Sequence, residues 1–272
     1  MIPSPFSYVR ARSVDHALDL LVEHGDEGKL LCGGHSLLPL MKLRLANPAT
    51  LIDIRTLPEL HGIRSDGDRL HIGAATRHRD LELDAAVVRR APLLARAAET
   101  IGDPQIRARG TIGGSIVHGD PAADLPAALL ALDATVTLRG PRGTREVALE
   151  DFFLDFWQTA IAPDEVLTTV TVPSNEDVPV SFVKFHQRAQ DWAIVGVAAL
   201  GGASPRVALV NMAATPWRAR AVEQALADGA DIAEAAALAD VGTAPSTDLR
   251  ADATYRRHLA RVITERALAQ VV

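Results

Sequence analysis

Two short segments carry the residues best suited to chemistry: LLCGGHS, Leu30 to Ser36, and TIGGS, Thr111 to Ser115. Each sets an apolar, strand-like run before a glycine pair, then supplies a serine or a His-Ser donor. A glycine pair lets the backbone reach positive φ and removes the Cβ atoms that would hold a ligand off. A turn built in this way can aim successive N–H groups at an anion. One such turn is ordinary; two in one chain suit a ligand with two phosphates. Neither segment reads GxGxxG or GxxxxGK, so the Rossmann and P-loop frameworks fail and a different dinucleotide fold is required.

The neighbouring DPAADLP adds Asp120 and Asp124. A carboxylate beside a diphosphate repels it, so each aspartate either accepts hydrogen bonds from sugar hydroxyls or caps a helix. Asp120 precedes Pro121, a favoured first helical residue, and Asp124 precedes LPAALLAL. The residues alone leave both readings open. The nine histidines show no HxxxH pair beside a carboxylate, so no metal site is expected. Cys32 is the only cysteine, which excludes an internal disulfide and an iron–sulfur cluster held by several thiolates of this chain. Any iron–sulfur chemistry must sit on another polypeptide.

The elements that position these residues follow from periodicity. Ser13 is the expected N-cap of a helix with Ala17, Leu18, Leu21 and Val22 on one face, ending at Gly25. Strands are expected at Leu30–Cys32 and Thr50–Ile54, with a helical segment around Pro39 between them, which is an α/β rhythm. Further strands are expected at Arg69–Ala74, Ala134–Arg139, from Arg145 and at Glu165–Pro173, with one helical stretch from Leu81 to Thr100 and a short helix from Asp124. The polar, proline-bounded SNEDVP marks a boundary near residue 176. Beyond it, Ser181–Arg188, Ile194–Gly202 and Arg206–Met212 read as three strands, followed by helices from Arg218 and Ala253.

Composition narrows the class. The 272 residues are 48% apolar and 23% charged, an ordinary globular balance. A net charge of −6 without a Lys/Arg stripe makes nucleic acid an unsuitable partner. No apolar run approaches the ~20 residues of a membrane span. MIPSPFSYVR carries no secretory pattern, so a cytoplasmic location is the expectation.

GGHSLLPLMKLR, Gly33 to Arg44, and IGDPQIRARGTIGGSIVHGDPAADLP, Ile101 to Pro126, resemble the paired signatures of the FAD-binding medium subunit of molybdenum hydroxylases, the carbon monoxide dehydrogenase type within the xanthine dehydrogenase family. The likeness continues through FVKFHQRAQDWAIVGVA, from Phe182, and PSTDLRADATYRRHLARVITERAL, from Pro245, and covers nearly the whole chain in order. It implies an α+β architecture. Residues 1–176 would form an FAD-binding domain of the vanillyl-alcohol oxidase (PCMH) type, with subdomains of about 1–56 and 57–176. Residues 177–272 would form a C-terminal domain of the CO dehydrogenase flavoprotein type, with a three-stranded antiparallel sheet and helices. It also implies a division of labour: a large subunit holds molybdopterin, a small one holds two 2Fe–2S clusters, and this chain passes their electrons through non-covalent FAD to an acceptor such as NAD⁺, a quinone or oxygen.

Carried over position by position, the resemblance assigns Leu30, Leu31, Cys32, Gly33, Gly34, His35 and Ser36, with Thr111, Gly113, Gly114 and Ser115, to the FAD diphosphate through N–H and hydroxyl donors. Asp124 would bind a sugar or ribityl hydroxyl, while Asp120 stays a cap. Leu167 would make a backbone contact, and Lys184 would sit at the pyrimidine end of the isoalloxazine, where a cation stabilises the reduced anion. Trp192 would shield one flavin face, with Ile101 towards the other. On residues alone, Lys184 reads as an exposed strand lysine and Trp192 as a core residue. Two departures from the family pattern, Cys32 in place of a small residue and IVHGDP in place of LAHADP, are compatible with FAD binding, and His35 and His118 remain donors or packing residues. The alternative is a stand-alone flavin oxidoreductase with its own acid/base group, for which His186 and Asp191 are the candidates. A third reading keeps the fold without redox activity; intact glycine pairs and Lys184 weigh against it.

Overall fold

The computed structural model describes residues 2–272. Its first unit is a three-stranded parallel sheet in the order Ser7–Arg10, Thr50–Asp53, Gly28–Leu31. The helix Val14–His24 covers it, capped by Ser13 accepting the His16 N–H at 3.1 Å and ended at Gly25, φ 51°. Parallel pairing demands a crossover, and this helix supplies it. Its buried Ala17, Leu18 and Leu21 recur at helical spacing against Ile52.

The second unit is a five-stranded antiparallel sheet in the order Ile63–Asp66, Arg69–Gly73, Val166–Pro173, Thr135–Gly140, Gly143–Ala148. The single helical stretch expected from Leu81 to Thr100 is three helices, His78–Leu83, Ala85–Arg90 and Pro92–Glu99. Asp84 takes an extended conformation and accepts the Ala86 and Val87 N–H groups, and Pro92 cannot continue the preceding helix.

The third unit pairs Val180–Phe185, Val195–Leu200 and Arg206–Val210 antiparallel, as expected, and adds a fourth strand, Trp217–Arg218. Two residues are too short to show alternation, so periodicity could not reveal that strand. All six positions of Val195–Leu200 are buried. Strand alternation explains this: Ala198, Leu200, Ala208 and Val210 face a core shared with the helices Pro92–Glu99 and Asp124–Ala131, while Val197, Ala199, Val207 and Leu209 face the helices Arg220–Ala227 and Ala253–Leu268. The C-terminal sheet is thereby welded to the middle of the chain.

Candidate functional site

One cavity of about 630 Å³ is lined by residues from all three units. Every one of the sixteen residues singled out above lies on its wall, from Leu30–Ser36 through Ile101, Thr111, Gly113, Gly114, Ser115, Asp124 and Leu167 to Lys184 and Trp192. Its size falls within the range of small-molecule sites.

The glycines work differently at each segment. Gly34 has φ +80°, a left-handed conformation suited to glycine, and the Gly34, His35 and Ser36 N–H groups donate to no atom among the described residues. The first segment is therefore an open cluster of donors. A Cβ on Gly33 would stand 2.7 Å from Arg109 O and 3.0 Å from Gly110 Cα, so this glycine lets the first segment lie directly against the second.

The second segment is no free turn. Ile112–His118 is a helix with Thr111 as N-cap, Oγ1 accepting the Gly114 N–H at 3.2 Å. The Ile112 and Gly113 N–H groups donate to Thr76 O and Ala74 O, and Ser115 N–H to Thr111 O. Those amides are satisfied within the fold, which corrects the expectation that the Gly113, Gly114 and Ser115 backbones stand open as donors. Gly113 is needed for packing, because its Cβ would meet Ala74 Cβ at 2.7 Å. The Ser115 hydroxyl remains as a donor, and Gly114 leaves the wall bare.

Asp120 accepts the Ala122 N–H at 2.8 Å and closes a turn; no helix starts at Pro121, which corrects the expectation of a helix cap there. Asp124 lies in the first turn of Asp124–Ala131 and caps nothing. Its Oδ2 accepts Lys184 Nζ at 2.7 Å, both side chains being 4% exposed, and its Oδ1 is buried without a partner. Lys184 also donates to Thr100 O at 3.1 Å. An ammonium has three N–H donors, so one is left for the cavity. The reading of Lys184 as an exposed strand residue is overturned, and so is a core position for Trp192, which is 47% exposed at the cavity edge. Burial raises the Asp124 carboxyl to about 6; Lys184 opposes that rise without cancelling it.

Cys32 lines the cavity, its thiol pushed up by burial. His118 stacks on Trp157 with centroids 5.8 Å apart, and its ionisation is pushed down by burial. Periodicity gave no sign of Trp157, which lines the cavity from the tip of a short hairpin at φ 55° and also stacks on Phe156. His78 was missed as well. It lies beneath Gly110 with its Nδ1 unpartnered, and burial, then His35 and Arg107, lower it to about 4, so it stands neutral. His186 Nδ1 is engaged with Arg188 O at 2.7 Å. Among the described residues no cluster of three or more His, Cys, Asp or Glu could hold a metal ion.

Unpaired amides in the cavity lining, a bare glycine surface and a buried lysine with one unused donor suit a long anionic ligand, and they define a dinucleotide-binding α+β protein. Residues 4–175 match the FAD binding domain in molybdopterin dehydrogenase, and residues 180–271 the CO dehydrogenase flavoprotein C-terminal domain. The carbon monoxide dehydrogenase medium chain of Hydrogenophaga pseudoflava is 43% identical, over 98% of this chain and 97% of that one. The 6-hydroxypseudooxynicotine dehydrogenase complex subunit alpha of Paenarthrobacter nicotinovorans is 38% identical, over 100% and 96%. A solved structure of the Hydrogenophaga carbon monoxide dehydrogenase, lacking the Mo-pyranopterin moiety of its molybdenum cofactor, superposes with a TM-score of 0.96 at 43% identity, covering 100% of this chain and 98% of that one. The chain belongs to the FAD-binding medium-subunit family of the molybdenum hydroxylases, the carbon monoxide and xanthine dehydrogenase group.

Proposed function

We propose that this chain is the electron-transferring flavoprotein subunit of a heterotrimeric molybdenum hydroxylase, holding FAD non-covalently in the cavity between its three units. The observation that carries the proposal is the convergence of the open Gly34–Ser36 amides and the Lys184 ammonium on one cavity wall system. FAD, when bound, supplies the exchange between the single electrons of iron–sulfur clusters and the pair taken by an acceptor.

The chain's own residues bind and orient. In this reading the Gly34, His35 and Ser36 N–H groups and the Ser115 hydroxyl hold the diphosphate, while Gly33, Gly113 and Gly114 keep the wall close and bare. Ile101 and Trp192 bound the ring region, Leu167 contributes its backbone, and the free Lys184 N–H stabilises negative charge at the pyrimidine end. The molybdopterin and 2Fe–2S centres belong to partner subunits, since this chain's single cysteine lacks the thiolates for a cluster. The 1–176 and 177–272 division, with subdomains parting near residue 56, and a cytoplasmic location are part of the same reading; limited proteolysis tests the first and cell fractionation the second. No helix among the described residues is long and apolar enough to cross a membrane.

Affinity purification of the tagged chain from its native cells tests the function. A yellow complex containing a large and a small partner is expected, its flavin bleached by dithionite and restored by an acceptor. Recovery of a colourless chain without partners would sink the reading.

A further inference from the structure

We propose that Asp124 takes up a proton when the bound flavin is reduced, so that the Lys184 ammonium passes from its partner carboxylate to the flavin. The inference rests on the FAD-binding reading above. It starts from geometry: the two side chains form a pair at 2.7 Å that is almost fully buried, on the wall of the cavity, with one carboxylate oxygen unpartnered. In the oxidised state a neutral flavin faces a pair whose charges cancel. Two electrons, from the iron–sulfur subunit or from dithionite, and one proton added to the ring leave the flavin anionic. With the ring placed against Lys184 as proposed above, that charge would stand near a carboxylate to which, within this chain, only the same lysine donates. A solvent proton on Asp124 restores neutrality, and the couple becomes two electrons and two protons.

The groups facing Asp124 set where this happens. Lys184, on the strand Val180–Phe185, and His186 just after it favour the carboxylate; Asp120, in the preceding loop, and burial oppose it, and burial is the largest influence. The balance lies at about 6, and an anionic flavin moves it higher. Between about pH 6 and the higher value that the reduced flavin sets, the carboxyl is therefore ionised with oxidised flavin and protonated with reduced flavin; below about 6 it is protonated with both.

Spectroelectrochemical titration of the full chain loaded with FAD tests this. Each coupled proton changes the equilibrium constant tenfold per pH unit, about 30 mV for a two-electron couple. Between about pH 6.5 and 8 the wild type is expected to fall by about 60 mV per unit and Asp124→Asn by about 30, with Asp124→Glu restoring the steeper slope. Should Asp124→Asn lose FAD, Lys184→Gln is read in its place: without its cation the carboxyl stays protonated in both states, again giving about 30 mV. A wild-type slope of about 30 mV, or a steep slope surviving in the variant that is read, places the second proton elsewhere and overturns the inference. A folded wild type that takes up no FAD defeats the binding reading itself, an outcome separable from either slope.

Discussion

At the scale of single residues, two buried carboxylates behave in opposite ways. Asp124 is raised by burial, whereas burial of Asp53 is outweighed by Arg55, Tyr8 and the Arg55 N–H, which hold its carboxyl at about 2. Asp53 accepts Arg55 Nη2 at 2.7 Å and the Tyr8 hydroxyl, tying the strand Ser7–Arg10 to Thr50–Asp53. A depressed carboxyl contributes stability that is full above its unfolded value near 3.8 and is lost as pH falls through about 2. Asp53→Asn is expected to cost about 2 kcal/mol at pH 7, and denaturant titrations should show that difference shrinking between pH 4 and 2. Lys184→Met should lower the potential of bound FAD, because the cation that favours the reduced anion is gone; an unchanged potential would remove Lys184 from the flavin. The residue-level reading of the sequence reached Lys184 only through a family likeness. Its partner is 60 positions away, and nothing local to FVKF announces a buried ion pair.

At the scale of elements, the two glycine segments looked alike in sequence and are not alike in structure. LLCGGHS leaves a strand and opens into free amides; TIGGS caps and begins a helix whose amides are already bonded. The signal for the difference was present in Thr111, an N-cap residue three positions before Gly114, and it competed with the turn that a glycine pair suggests. Asp84 and Pro92 were likewise visible as breaks in the stretch from Leu81 to Thr100, whereas Trp217–Arg218 was too short to see. Gly113→Ala should push Ile112–His118 off Ala74 and cost roughly 1–3 kcal/mol, read as a lower Tm. Gly33→Ala should separate the two segments and weaken FAD affinity more than it lowers apo-protein stability. Equal losses in both would make Gly33 a purely structural glycine.

At the scale of the whole molecule, the third sheet is both a wall of the cavity and one side of the central core. Ala198, Leu200, Ala208 and Val210 cover helices of the middle unit, so the boundary suggested by SNEDVP is a change of sheet across a shared apolar interior. Residues 1–176 expressed alone should expose that face, aggregate and retain little FAD, having lost Lys184 and Trp192 as well. A monomeric, FAD-saturated fragment would show the units to be independent. Helix and strand periods located most of the elements and the resemblance supplied their architecture, while the edge strands Ser7–Arg10 and Ile63–Asp66 escaped the pattern; the contact between sheets was not legible, since an all-apolar strand such as Val195–Leu200 does not say what lies on either face.

FAD titration of the purified apo-protein, followed by flavin fluorescence and thermal unfolding together, tests directly whether the cavity holds FAD. Equimolar binding should quench or shift the flavin signal and, at free FAD a hundredfold above Kd, stabilise the chain by about 2.7 kcal/mol, raising Tm by several degrees. A well-folded chain whose Tm and flavin fluorescence stay unchanged as FAD is added would show that the cavity does not hold FAD.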